Sequence, residues 1–377
     1  MTEQTKVTTL EKVVVRFSGD SGDGMQLTGT IFSNLSAVFG NEISTFPDYP
    51  AEVRAPQGTL SGVSGFQVHL GSKKIFTPGE KADVLVAMNP AALKVNVTHI
   101  KPNAIVLIDT DSFQKSDLEK ALYTTDDPFK ELGLTQVQIV AAPISTMVRD
   151  GLVDFGLDNK SALRCKNMFA LGLVCWLFER PLDEAMHMLQ NKFAKKPVIA
   201  QANIKALTDG YNYGHNIHAT VSTYRIESKK AIPGTYMDVS VNKATSYGLI
   251  AAAEKAGLRL FLGSYPITPA TDILHELSKR KDLGVITVQA EDEIAGVCTA
   301  IGASFAGCLA ATSTSGPGLA LKSEAIGLAV IAEVPLVVID VQRGGPSTGM
   351  PTKSEQTDLL QALYGRNGEC PAVVLAA

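Results

Sequence analysis

Residues 291–318 read EDEIAGVCTAIGASFAGCLAATSTSGPG, and this stretch decides the fold. Three carboxylates, Glu291, Asp292 and Glu293, stand ahead of a run that turns small and apolar. Aspartate directly before a helical run is a natural N-cap, and acids at a helix start are favoured by the macrodipole. By residue type alone, all three are helix starters. The run then sets Ala295, Gly296, Ala300, Gly302, Ala303, Ala306 and Gly307 on one thin helix. Such a helix gives up side-chain packing, which lets another backbone or a flat ligand come close. "CLAATS" (308–313) follows as a buried strand, and "TSGPG" is the loop that opens the next helix. Helix, strand, Gly-rich loop and helix in that order predict a parallel α/β unit whose ligands sit at the carboxyl ends of strands.

The same rhythm extends outward. Upstream lie a helix (243–256), the strand "LRLFLG" (258–263), the loop "SYPITPAT", a helix (271–280) and the strand "GVITVQA" (284–290). Downstream come a helix (319–332), the strand "PLVVIDVQ" (335–342) and a Gly/Pro loop. These predict a doubly wound α/β domain over 241–377. Nearer the N-terminus, "KVVVRF" (12–17), "DVLVAM" (83–88), "AIVLID" (104–109) and "QVQIVAAP" (136–143) predict the strands of a Rossmann-like α/β domain over 1–225. Its helices are expected from about Met25 to Phe39, at 161–180 and at 181–193. The stretch 223–244 mixes charge, Pro and Gly with weak periodicity, so the inter-domain linker is placed within it, at 226–240. The final "CPAVVLAA" reads as a buried strand. Because chain ends are ordinarily exposed, it suggests a chain truncated at its C-terminus.

Composition narrows the function classes. At roughly 150 residues per domain, 377 residues make two or three domains. A formal net charge of −4 and a pI near 5.9 argue against a nucleic-acid binder. No secretory leader and no membrane-length apolar run is readable, which predicts a cytoplasmic protein without a membrane partner. The five cysteines are scattered, with no pair at CxxC spacing, so they cannot by themselves build an Fe–S or zinc site. No metal site is expected in this chain. The six histidines join no nucleophile motif, and the lone Trp176 sits among core residues.

Glu293 stands nine residues before Gly302, and "SGPG" follows one strand later. That pairing resembles the aminopyrimidine-binding domain of thiamine diphosphate enzymes. "GSYPITPAT" (263–271) narrows it, being similar to the YPITP signature of the 2-oxoacid:ferredoxin oxidoreductases, and the likeness runs through "VQRGGPSTGMPTKSEQ" to cover 241–377. The resemblance implies that Glu293 is the catalytic, cofactor-binding carboxyl set against the pyrimidine ring nitrogen. Glu291 and Asp292 do not fit the spacing. It further implies Tyr265, Pro266, Ser315 and Gly316 beside the cofactor, and Thr268, Arg343 and Thr352 as substrate contacts. Arg343 ends a strand and enters a Gly/Pro loop, where a guanidinium can fork onto a carboxylate. On residue type alone it is more often a surface arginine, and Thr268 a turn-stabilising hydroxyl.

The first domain has its own Gly-rich loop, "SGDSGDGMQLTG" (18–29), in which Gly19, Gly22 and Gly24 fit GxxGxG and not the GxGxxG dinucleotide order. Set between a strand and a helix, it is either an anion-binding turn or a purely structural one. The region to about residue 110, with "FPDYPAEVRAPQG", resembles the family's gamma (γ) domain. In larger relatives the equivalent domain contacts coenzyme A, which makes Ser21, Gly22, Asp23 and Gly24 candidates for the CoA diphosphate region.

Taken together, the resemblance implies an alpha subunit with a fused N-terminal gamma domain. The implied reaction converts a 2-oxoacid, CoA and oxidised ferredoxin into acyl-CoA, carbon dioxide and reduced ferredoxin. The γ–α order points to 2-oxoglutarate, with pyruvate or a broad 2-oxoacid range as the alternative. No GDG motif followed by an Asn pair is present. The family places Mg²⁺, the diphosphate site and the 4Fe–4S cluster in a beta subunit, so the implied enzyme is a dimer of alpha–beta pairs working with ferredoxin. A non-oxidative thiamine diphosphate decarboxylase or synthase would share Glu293 and "TSGPG" but not "YPITP". A CoA- or nucleotide-binding scaffold would not explain the Glu293 spacing.

Overall fold

Side chains alternate along the central strands of the N-terminal half, and the alternation builds two cores. Val13, Val15 and Phe17 enter one core and Val14 the other; Val84 and Val86 oppose Leu85 and Ala87, and Ile105 and Leu107 oppose Val106 and Ile108. Strands that bury both faces belong to a sheet covered on both sides. The computed structural model describes residues 7–52, 55–217, 223–228, 234–346 and 352–376. It divides into two units, Met1–Thr235 and Tyr236–Ala377.

In the first unit the strands are β1 (Val7–Leu10), β2 (Lys12–Asp20), β3 (Glu42–Asp48), β4 (Val63–Gly71), β5 (Ala82–Ala87), β6 (Ile100–Asp109), β7 (Gln138–Ala142) and β8 (Thr223–Ile226). Six of them form a mixed sheet in the order β3-β4-β2-β5-β6-β7, parallel from β2 to β7 and antiparallel at β4. The sequence reading contains neither β3 nor β4. All nine residues of β4, "VSGFQVHLG", are buried although several are polar or glycine, because β4 is paired on both sides. Its Gln67 amide, for example, donates to the Pro78 and Gly79 carbonyls at 2.8 and 2.7 Å, so burial does not require an apolar residue there. The helices Met25–Val38, Asp183–Lys192 and Lys166–Leu177 lie where helical pattern is read, the last preceded by a separate short helix, Asn159–Leu163. Just ahead of the linker read at 226–240, and reaching its first residue, Thr223–Ile226 is β8, which pairs in parallel with β1. Residues 229–233 of the expected linker lie outside the described residues.

The second unit is a sheet of β9 (Leu260–Ser264), β10 (Ile286–Gln289), β11 (Leu309–Thr314) and β12 (Val337–Asp340), all parallel in the order β10-β9-β11-β12. From β9 the chain moves to one edge and from β11 to the other. The gap between the carboxyl ends of these neighbouring strands is therefore the topological switch point. Two details depart from the sequence reading. The helix after β11 is Gly316–Ile331, beginning at the Gly-Pro-Gly itself, because Ser315 is extended as its N-cap and Pro317 fits the first turn. The C-terminal "CPAVVLAA" forms no strand within 370–376, and Val373 and Leu375 are 88% and 89% exposed; an apolar run becomes a strand only where a sheet edge receives it. Among the described residues, no helix is long and apolar enough to cross a membrane.

Candidate cofactor and substrate site

The three acids that open residues 291–318 separate once folded. Asp292 is the N-cap of the helix Glu293–Phe305: its backbone is extended and its carboxylate accepts from the Ala295 N–H at 2.8 Å. Glu291 and Asp292 are exposed, whereas Glu293 is half-buried. A Cβ added to Gly318 would stand 2.8 Å from the Glu293 Cγ and 2.0 Å from the Thr314 Oγ1. The carboxylate side chain thus lies against the first turn of the next helix, where only glycine leaves room.

The small residues of the Glu293 helix serve two ends. At Gly263, in β9, an added Cβ would meet the Gly296 carbonyl at 2.6 Å and the Ala300 nitrogen at 3.1 Å, so helix and strand touch backbone to backbone. Gly302 is different: an added Cβ there would have no heavy atom within 4 Å. Its smallness is not used by the packing of this chain.

Around the switch point, the Ser264 hydroxyl donates to the Ser313 carbonyl at 2.7 Å and ties the ends of β9 and β11. Ser315 is completely buried, and its hydroxyl finds no hydrogen-bond partner among the described residues. Gly316 is buried against Asp358, whose Oδ2 lies 2.8 Å from where a Cβ would be. Tyr265 and Thr268 are exposed and Pro266 is half-buried. Arg343 is only 7% exposed, which sets aside the surface-arginine reading. Its Nη1 donates to the Thr268 carbonyl at 3.1 Å, and its own carbonyl accepts from the Thr357 hydroxyl at 3.1 Å. The Gly344 N–H donates to the carbonyl of Lys353, whose neighbour Thr352 is buried. Burial lowers the Arg343 pKa and the charge of Glu293 opposes it. Glu293, Ser315, Gly316, Arg343 and the 265–268 loop therefore all lie on the same strand ends.

Three residues beneath this rim carry no sequence motif. Lys322, on the helix Gly316–Ile331, is completely buried; its ammonium donates to the Thr312 hydroxyl at 2.7 Å and more weakly to the Ser313 carbonyl at 3.4 Å. Burial pushes it down to about 8, against the charges of Glu293 and Asp340. Asp340 ends β12 and is pushed up to about 8 by burial and then by its hydrogen-bonded neighbour Asp358. Asp358, 2% exposed, also accepts from the Gln342 amide at 2.8 Å. An acid at the carboxyl end of a parallel strand is the one signal that could have found Asp340. Lys322 reads as an ordinary solvated lysine.

In the first unit the 18–24 loop closes on itself. The N–H groups of Asp20, Ser21 and Asp23 donate to Asp23 Oδ2 (2.9 Å), the Gly62 carbonyl (3.1 Å) and the Asp20 carbonyl (2.9 Å). Asp23 pairs with Lys166 at 3.1 Å, and Asp20 accepts from the Gly58 N–H at 2.9 Å. Asp20 is raised, chiefly by burial and then by Asp23. Gly24 caps the helix Met25–Val38 with φ 75°, left-handed backbone that favours glycine. Ser21 and Gly22 remain exposed at the helix start, with Asp23 and Gly24 half-buried behind them.

The second unit suits a flat, polar heteroaromatic cofactor. It offers a half-buried carboxylate beside a glycine and an orphaned buried hydroxyl at a helix start. Fold and site together define a thiamine diphosphate-binding α/β domain preceded by a second α/β domain. The family described as "Pyruvate flavodoxin/ferredoxin oxidoreductase, thiamine diP-bdg" matches residues 251–377, and "Pyruvate ferredoxin/flavodoxin oxidoreductase" matches 14–213. The chain belongs to the pyruvate ferredoxin/flavodoxin oxidoreductase family. It is 53% identical over 97% of its length to the Mycobacterium tuberculosis "2-oxoglutarate oxidoreductase subunit KorA", covering 56% of that protein. To "2-oxoacid:ferredoxin oxidoreductase 2, subunit alpha" of Aeropyrum pernix it is 25% identical, over 95% of this chain and 59% of that one. Among solved structures it is similar to a 2-oxoglutarate:ferredoxin oxidoreductase from Magnetococcus marinus with 2-oxoglutarate, coenzyme A and succinyl-CoA bound. The TM-score is 0.72 at 32% identity, over 96% of this chain and 57% of that chain. The chain thus spans somewhat more than half the length of these relatives.

Proposed function

We propose that this chain is the alpha part, with its fused gamma domain, of a CoA-acylating 2-oxoglutarate:ferredoxin oxidoreductase. It would convert 2-oxoglutarate, CoA and oxidised ferredoxin to succinyl-CoA, carbon dioxide and reduced ferredoxin. The observation that carries the reading is the convergence of Glu293 and the buried Arg343 on one switch point. The choice of 2-oxoglutarate over pyruvate is supported by the names of the Mycobacterium tuberculosis and Magnetococcus marinus relatives.

Thiamine diphosphate, when bound, supplies the nucleophilic carbon and the electron sink for decarboxylation. In this chain Glu293 holds a proton at the pyrimidine ring nitrogen, and Gly318 keeps its side chain in place. Tyr265, Pro266, Ser315 and Gly316 would hold the ring, and the otherwise unpartnered Ser315 hydroxyl would be free to bond it. Arg343 forks onto the substrate carboxylate, with the Thr268 and Thr352 hydroxyls as further donors. Their fixed positions orient the 2-oxoacid before reaction. Ser21, Gly22, Asp23 and Gly24, ahead of the helix Met25–Val38, are the proposed contacts of the CoA diphosphate.

The remaining parts belong to partners: a beta subunit with Mg²⁺ and the 4Fe–4S cluster, ferredoxin, and a second alpha–beta pair. Supporting this, Ile294, Phe305, Leu321, Leu328 and Ile331 are 50–84% exposed on two adjacent helices of the second unit, an apolar surface that suits a covering subunit. The cytoplasmic placement is part of the same proposal and agrees with five free cysteines.

The test is co-purification with the partner subunits and measurement of the Fe–S absorption. 2-Oxoglutarate with CoA should bleach it faster than pyruvate with CoA, and Glu293→Gln should abolish bleaching without loss of fold. Faster bleaching by pyruvate would reassign the substrate; no bleaching by any 2-oxoacid would sink the reading.

A further inference from the structure

We propose that Asn242 is a positioning residue for the 2-oxoacid: its amide holds the loop that presents Thr268 and so fixes where the Thr268 hydroxyl meets the substrate. The inference rests on Thr268 and Arg343 being the substrate contacts. What carries it is the way the loop's backbone is held. Four successive carbonyls, from Ile267 to Ala270, each accept a hydrogen bond. The outer two are tied to the helix that follows: Ile267 accepts from the Thr271 N–H at 3.0 Å and Ala270 from the Ile273 N–H at 3.1 Å. The inner two are tied to distant side chains. The Thr268 carbonyl accepts from Arg343 Nη1 at 3.1 Å, and the Pro269 carbonyl accepts from Asn242 Nδ2 at 3.0 Å. Pro269 brings no N–H of its own, so its carbonyl is the backbone group by which it can be held.

Asn242 is not needed where it stands for the sake of its own helix. It lies in the first turn of the helix Val241–Ala256, whose start is already capped by Ser240: that hydroxyl accepts from the Lys243 N–H at 3.3 Å. Asparagine is a poorer helix former than alanine, because its side chain competes for backbone groups. Here the half-buried carboxamide turns instead to a loop 27 residues away in the chain. A carbonyl only accepts, so the amide nitrogen must face it, and an aspartate of the same size would set oxygen against oxygen. The loop's two ends are fixed by burial: Ser264 is 1% exposed and tied to Ser313, and Ala270 is 1% exposed. Thr268 lies exposed between them. Of the two side chains that hold this exposed part, Arg343 must also serve the substrate carboxylate. Asn242 has no such second duty, and it keeps the Thr268 hydroxyl in place when substrate arrives.

The test uses the enzyme assembled with its partner subunits and measures KM and kcat for 2-oxoglutarate in Asn242→Ala, Asn242→Asp, Thr268→Val and the double variant Asn242→Ala with Thr268→Val. One ordinary hydrogen bond corresponds to about a fivefold ratio, so Asn242→Ala and Asn242→Asp should each raise KM about fivefold or more, with a smaller change in kcat. Once the hydroxyl is gone, Asn242 has nothing left to position, and the double variant should show the KM of Thr268→Val alone. An unmoved KM in Asn242→Ala overturns the proposal. So does a double variant in which the two effects multiply, as they would for a general loosening of the domain. Should Asn242→Ala fail to fold, Asn242→Asp keeps the size of the side chain, takes its place in the cycle and is read in the same way. Failure of the underlying reading looks different: Thr268→Val alone would then leave KM at the wild-type value.

Discussion

Gly318 shows how much of the site depends on the absence of one carbon. A Cβ there would lie 2.0 Å from the Thr314 hydroxyl and 2.8 Å from the Glu293 Cγ, so Gly318→Ala must displace the proposed cofactor carboxyl. We expect about 1–3 kcal/mol of destabilisation by overpacking and a fall in thiamine diphosphate affinity, measured by denaturation and by calorimetry on the assembled enzyme. Unchanged affinity would separate Glu293 from the cofactor. Arg343 is tested by Arg343→Lys, which keeps the charge and loses the planar fork. On the proposed reading the KM for the 2-oxoacid should rise about tenfold or more, as expected for one charge-assisted bond lost, with a smaller effect on kcat. The legible and illegible residues differ in kind. Glu293 and "SGPG" stand at a fixed spacing because one helix and one strand separate them, and that distance is written in the chain. Lys322, Asp340 and Asp358 meet only through the crossing of β11, β12 and the helix between them, which no spacing records.

Elements carry the second lesson, because the thin helix Glu293–Phe305 is thin for more than one reason. Against β9 its smallness is structural: the Gly263 contact is with backbone atoms that cannot move aside. Gly263→Ala should therefore destabilise the second unit by about 1–3 kcal/mol. Gly302→Ala meets open space and replaces a helical glycine, so it should stabilise this chain by about 0.5–1 kcal/mol. If a partner backbone fills that space in the assembly, the same variant will weaken the assembly while raising the melting temperature of the chain alone. A Gly302→Ala chain that assembles as tightly as wild type would show that the space is idle. Small residues in the sequence announce a close approach without saying to what, and only the packing assigns Gly296 to β9 and leaves Gly302 unassigned. The parallel strands were legible because burial on both faces makes them continuously apolar. β3 and β4 were not, since antiparallel strands carrying Pro, Gly and hydrogen-bonded polar residues have no such run.

For the whole molecule, the two units should respond differently to pH, and the chain contains its own probe for separating them. Its single tryptophan, Trp176, is buried in the core of the first unit, so tryptophan fluorescence follows that unit while far-ultraviolet circular dichroism follows both. In the second unit two groups oppose each other. Asp340 has an ordinary pKa of 3.8 and is raised to about 8 by burial and by Asp358. A raised folded-state pKa contributes stability that is fully present below pH 3.8 and is lost as pH climbs through about 8. Lys322 is lowered by burial from 10.5 to about 8. Between those values the unfolded chain binds more protons, so stability returns as pH rises from about 8 towards 10.5. The second unit should thus have a stability minimum near pH 8, seen in urea denaturation as a circular dichroism transition that dips there while the fluorescence transition does not. Asp340→Asn should remove the falling limb and Lys322→Met the rising one. A transition that passes smoothly through pH 8 in the wild-type chain would mean that burial shifts neither Asp340 nor Lys322.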